Sequence, residues 1–181
     1  MNQENFERLY AEHAASLYGF LAYRTGDRAL AEDLLADTFE RVWTSRRRFD
    51  LRRGSRTTWL YSIALNRLRD HARKQVVEDR ALHSVAELQN GNGSSNGTIE
   101  HVELRQLLLT AMGALEDPER EALSLRYGGD LSLREIGEIV GVPRSTVEGR
   151  VYRGLKKLSE ELVEEEPAVA VGNPGARSYK A

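Results

Sequence analysis

Residues 131–158 read LSLREIGEIVGVPRSTVEGRVYRGLKKL, and this stretch decides the fold. Ser132, followed three residues later by Glu135, is a capping box that satisfies free N–H groups at a helix start. Leu133, Ile136, Ile139 and Val140 fall at helical spacing and give that helix one apolar face. Gly137 lies inside it, where a missing side chain predicts close approach by another helix. Gly141 supplies the positive φ that ends the helix and makes a turn. Pro143 suits the first turn of a second helix, where its absent N–H would lack a partner anyway. Val147, Val151, Leu155 and Leu158 anchor that helix, and its other face carries Arg144, Ser145, Thr146, Glu148, Arg150, Arg153, Lys156 and Lys157. A helix packed on one side and basic on the other fits a DNA major groove. The geometry alone also suits a structural helical hairpin. The coincidence of capping box, turn glycine, proline start and basic face favours DNA.

The chain has 181 residues, enough for one or two domains. It contains no run of about 18 apolar residues, so no membrane insertion is expected. The polar start, MNQENFERLY, has no apolar signal segment, and a cytoplasmic location is the default expectation. Cysteine is absent, which removes disulfides, thiol switches and Cys-based zinc sites. His13, His71, His83 and His101 are scattered without ligand spacing, so neither metal nor cofactor is expected. The GNGSSNG run lacks the lysine and the flanking strand of a phosphate-cradling loop. No nucleophile–base pair is visible, so no catalytic residue, enzyme activity or small-molecule substrate is expected.

A net charge of −2 looks wrong for a DNA binder, but its distribution matters more than its sum. Residues 1–74 hold fourteen Arg/Lys against ten Asp/Glu, whereas 102–166 hold nine against fourteen. Basic charge concentrates at Arg46–Arg56 and Arg144–Lys157. Such focused patches predict local rather than diffuse DNA contact.

QNGNGSSNGT, residues 89–98, has no apolar residue and reads as flexible linker. It separates two helical modules. The first has helices over 6–21, about 28–45 and roughly 57–74. The second has a helix over about 100–115, another capped by Asp117-Pro118 and ending near Tyr127, and then the helix-turn-helix. No segment alternates with period two, so the fold class is all-α. The expected division is 1–74, a linker over 75–101, a second domain over 102–166 and a disordered tail over 167–181.

With both modules laid out, the chain resembles bacterial sigma factors of the extracytoplasmic-function (ECF) group. The runs that carry the resemblance are AEDLLADTFERVW (31–43), RTTWLYSIALNRLRDHARK (56–74) and the stretch from Leu115 to Leu158. The resemblance implies a sigma-2-like domain of three or four helices and a sigma-4-like helix-turn-helix domain. It implies core RNA polymerase, promoter DNA and an anti-sigma protein as partners.

The helix around Glu32–Phe39 alternates acids with apolar residues, which by composition is an ordinary solvated face. The resemblance instead implies docking on polymerase through Asp33, Leu34, Asp37 and Phe39. Six Arg against one Asp in Arg46–Arg56 would repel one another, and a polyanion resolves that repulsion. The resemblance implies that this segment and the next helix capture the non-template strand of the −10 element. Phe49 would help form a base pocket, with Arg46, Arg47, Arg48, Arg52, Arg53 and Arg56 near phosphates. Asn66 would meet a base edge, flanked by Arg67 and Arg73. Trp43 and Trp59 could stack on bases, but each fits an apolar stripe and reads as core.

In the second domain the resemblance implies −35 readout. Arg144, Ser145, Thr146 and Glu148 would meet bases, and Arg150, Arg153 and Lys157 would hold phosphates. Glu148 either accepts from cytosine N4 or pairs along the helix with Arg144 or Arg153 and reads nothing. Two rivals stay open. One is a helix-turn-helix regulator that acts without replacing sigma. The other is an antagonist that mimics a sigma domain.

Overall fold

The computed structural model describes residues 1–50, 52, 54–82 and 99–164, with side chains at 76–82, 99–106, 163 and 164 left aside. The expected linker core, the tail over 167–181, His83 and Arg53 therefore lie outside the described residues. What is described is helical: α1 (Gln3–Thr25), α2 (Arg28–Ser45), a 3-10 turn (Arg46–Arg48), α3 (Arg56–Leu82), α4 (Ile99–Ala114), α5 (Asp117–Leu123), a π turn (Ser124–Gly128), α6 (Leu133–Val140) and α7 (Arg144–Glu164). α3 runs eight residues beyond the end expected at Lys74.

The first three helices are punctuated by local chemistry. Asn2 caps α1 by accepting from the Asn5 amide at 3.0 Å. Gly26, at φ 70°, ends it, and Asp27 caps α2 by accepting from the amides of Ala29 and Leu30. Leu17, Phe20 and Leu21 of α1 meet Leu34, Phe39 and Val42 of α2 and Leu60, Tyr61 and Leu65 of α3 in one buried core. Leu125, Leu131, Ile136 and Val147 of the second half belong to that same core. The two halves are thus packed together.

A smaller core of Ala111, Met112, Leu115, Leu123 and Leu158 joins α4, α5 and α7. Glu116, not Asp117, occupies the cap position of α5. Asp117 is already helical, and its carboxylate is engaged by Arg24 of α1. Arg120 donates to the carbonyls of Met112, Gly113 and Leu115, which gathers the C-terminal end of α4 and the residue after it. The helix predicted to run to Tyr127 widens into a π turn from Ser124.

Candidate nucleic-acid and polymerase interfaces

The helix-turn-helix forms as its sequence predicts. Ser132 and Glu135 make the reciprocal capping box, and Gly141 sits at φ 74°. Gly137 is approached by its own turn rather than by another helix: a Cβ there would stand 2.8 Å from the Val142 carbonyl oxygen. The Gly137 carbonyl accepts from the amides of both Gly141 and Val142, which folds the chain sharply into α7. Val147 is fully buried and fixes the start of α7, so Arg144, Ser145, Thr146 and Glu148 project from it into solvent. Arg150 is half-buried. Among the described residues Glu148 has no ion pair, so of its two readings the pairing with Arg144 or Arg153 is not made.

Further along α7 the expectation changes. Buried Glu119 of α5 accepts from Arg153 Nε at 3.3 Å and from Lys157 Nζ at 2.8 Å. Lys157 also reaches Glu116 at 3.4 Å. These two cations fasten α7 to α5, and the Lys157 hydrogen bond holds the Glu119 carboxyl below its usual range. Gly154 lets the helices close, since a Cβ there would stand 2.8 Å from Leu123 Cδ1. Leu155, expected to anchor α7, is 42% exposed and lines an apolar cleft with Tyr23, Met112 and Tyr127.

In the first half the Arg-rich segment starts with the 3-10 turn. The Arg46 guanidinium lies 3.8 Å from the Trp43 ring centroid and donates to the Trp43 carbonyl, so it is partly committed. Arg47, Arg48 and Arg52 are exposed, and Arg56 is half-buried with Nε lacking a partner among the described residues. Phe49 and Trp59 rings sit 4.9 Å apart and wall a cavity of about 280 Å³, together with Arg48, Thr58 and Ser62. A second cleft of about 400 Å³ is lined by Arg41, Ile63, Asn66, Arg67 and Asp70. Trp59, Ser62, Ile63, Asn66 and Asp70 recur at helical spacing, so both clefts open along one face of α3. Arg73 is exposed and pairs with Asp70 at 3.5 Å. Trp43 and Trp59, read as core, are only half-buried. Trp43 packs on Phe6, whereas Trp59 serves both core and cleft.

The acidic helix requires a correction. Leu34 and Phe39 are 4% and 5% exposed, because they face α1 and α3 within the core. They cannot fill the centre of a polymerase contact. Asp33 and Asp37 are exposed, with Glu40 one turn on, and form an acidic stripe on α2.

The comparisons with known proteins agree with this layout. The sigma-70 region 2 model matches residues 9–77, and the sigma-70 region 4 model matches residues 105–158. The RNA polymerase sigma factor CarQ of Myxococcus xanthus is 38% identical over 169 residues, covering 93% of this chain and 95% of CarQ. The chain belongs to the sigma-70 family, in its ECF group. Members of this family are non-enzymatic transcription initiation factors. The ECF sigma factor SigM of Bacillus subtilis is 29% identical, covering 84% of this chain and 91% of SigM. Among solved structures, CnrH in complex with the cytosolic domain of CnrY superposes with a TM-score of 0.67 at 25% identity, over 91% of each chain. RpoE of Bartonella quintana, in complex with the anti-sigma factor NepR, superposes with a TM-score of 0.72 at 23% identity, over 90% of this sigma factor and 99% of that chain. Among the described residues no helix is long and apolar enough to cross a membrane.

Sequence reasoning missed Gly19 and Gly128, whose backbones meet across the two halves, Tyr61, whose hydroxyl donates to the Gly129 carbonyl, Glu121, paired with Arg69, and Glu119 and Gly154 between α5 and α7. Each acts through a partner distant in sequence. For the glycines and the tyrosine the available signal was their place inside an otherwise apolar helical stripe, and the two glutamates gave none.

Proposed function

We propose that this sigma factor brings core RNA polymerase to promoters through two separate grips and catalyses nothing itself. Residues 1–74 form the first grip. Asp33 and Asp37 on α2 meet basic polymerase residues, and the clefts along α3 take the unpaired non-template strand of the −10 element. Phe49 walls the base pocket. Asn66 and Arg67 lie along the same face, with Arg47, Arg48, Arg52, Arg53, Arg56 and Arg73 near the backbone. Residues 102–166 form the second grip, with Arg144, Ser145, Thr146 and Glu148 at the −35 bases and Arg150 at a phosphate. Arg153 and Lys157 act mainly by fastening α7 to α5. Residues 75–101 tether the grips, starting as the last turns of α3, and the tail follows from 167. Work on core polymerase places the chain in the cytoplasm. The complexes of RpoE with NepR and of CnrH with CnrY support control by an anti-sigma protein.

The observation that carries this reading is the first turn of α7: four projecting polar or charged residues around one fully buried valine, behind an intact turn. Run-off transcription with purified bacterial core enzyme tests it. Promoter-specific transcripts with aligned start sites are expected only when the protein is added. Duplex binding without any transcript would favour a regulator that does not replace sigma, and failure to form a complex with core enzyme would end the proposal.

A further inference from the structure

We propose that the cleft between the α1–α2 turn and the later half of α3 binds a nucleoside polyphosphate, its phosphates held by Arg24, Arg69 and Arg73 and its base laid on Leu30 and Ala72. The nucleotide is a bound effector rather than a substrate, and neither DNA grip depends on it. The cleft has a volume of about 430 Å³ and takes its walls from α1, α2, α3 and Asp117 of α5. Small-molecule sites commonly occupy about 300–1,000 Å³. It stands apart from the −10 clefts. Leu68, His71, Ala72 and Gln75 line it at helical spacing, and their face lies about half a turn round α3 from Asn66, at about 100° per residue.

The rim is cationic, and its donors are only partly spent. A guanidinium has five N–H donors. Each of the three arginines engages a carboxylate through a single nitrogen: Arg24 through Nη2 with Asp117, Arg69 through Nη2 with Glu121, and Arg73 through Nη1 with Asp70. The Arg24 side chain is 14% exposed, and its Nε is buried without a partner among the described residues. Asp117, the one carboxylate among the described lining residues, is 71% exposed, where water screens it. Arg120 adds to the local positive charge. It holds its proton less firmly than an ordinary arginine, first because it is buried and next because Arg24 is near. A phosphate chain would relieve that crowding and take the forked donors in pairs.

The apolar part of the lining favours a nucleotide over bare phosphate. Leu30 is half-buried and Ala72 is exposed, so apolar surface shares the cleft with the arginines and the half-buried His71 ring. A planar base covers such surface and stacks on an imidazole or a guanidinium plane, whereas an inorganic anion would leave it wet. Gln75 adds an exposed amide that can both donate to and accept from a base or ribose edge.

Fluorescence anisotropy of ATP carrying a methylanthraniloyl group on its ribose, titrated with the full chain in magnesium-free buffer, tests the site. Saturable binding is expected, with ATP and GTP competing and tripolyphosphate competing about tenfold less well. Ala72→Glu puts a carboxylate on exposed α3 surface without touching an ion pair of the described residues, and it should weaken binding about tenfold. Arg69→Lys keeps a cation opposite Glu121 but gives up the fork, and it should weaken binding a few fold. Thermal unfolding shows that each variant is folded. Tripolyphosphate competing as well as ATP would overturn the nucleotide as ligand. Loss of binding in Arg48→Gln, with Ala72→Glu unaffected, would place the probe at the −10 cleft and overturn the site. Anisotropy that stays flat up to about 100 μM protein would overturn it as well.

Discussion

Glu119 shows how one side chain redirects the use of a helix. Its carboxylate, held low by Lys157, favours the native state at any pH above its ordinary value of 4.5, and that contribution disappears as pH falls through the lowered native value. Lys157, raised by the same contact, contributes below 10.5 and loses its contribution as pH climbs past that value. Stability should therefore be flat in this respect around neutrality and fall in acid. Glu119→Gln should lower the melting midpoint at neutral pH by about 4 °C and flatten the acid limb, as read by thermal unfolding across pH. On α2 neighbouring residues divide their tasks. Leu34→Ala should cost about 2–5 kcal/mol of stability by denaturant titration, because it empties a core site. Asp37→Lys should leave the denaturation midpoint nearly unchanged and weaken binding to core polymerase, measured by competition against native sigma. Glu148→Ala should shift −35 preference in a promoter-library transcription assay, since among the described residues no ion-pair partner holds that exposed carboxylate.

At the scale of elements, α6 and its turn were readable because their signals are local. A capping box, a left-handed glycine and a 3.6-residue apolar period act within a few residues of chain, and the helix formed where they placed it. Ser132→Ala should cost about 1 kcal/mol by chemical denaturation, because the Glu135 amide loses its acceptor while the Glu135 carboxylate keeps the residue-132 amide and loses only the hydroxyl. The acidic stripe on α2 was only half legible. Leu34 and Phe39 carry the same apolar character as a docking patch, and only the positions of α1 and α3 show that the core takes them. Arg153 and Lys157 posed the same difficulty. A cation on a helix does not declare whether it awaits a phosphate or a carboxylate on another helix.

At the scale of the whole molecule, the separate modules were evident from composition, but their mutual packing was not. It depends on two glycine backbones and a tyrosine hydroxyl that meet from opposite halves. The Tyr61 hydroxyl is pushed up to about 12 by burial, so the packing it supports is complete below 10 and lost as pH rises toward that native value. Alkaline titration followed by the distance between spin labels on Ala11→Cys and Ser159→Cys, both exposed in a chain without cysteine, should show the halves part over that interval, and Tyr61→Phe should remove the dependence. The π turn has a further consequence. It holds one residue more than a regular helix would need, and each helical residue turns the chain by about 100°. Deleting a single residue between Ser124 and Gly128 would rewind that stretch and swivel everything beyond it, pointing the reading end of α7 in a new direction with every side chain still present.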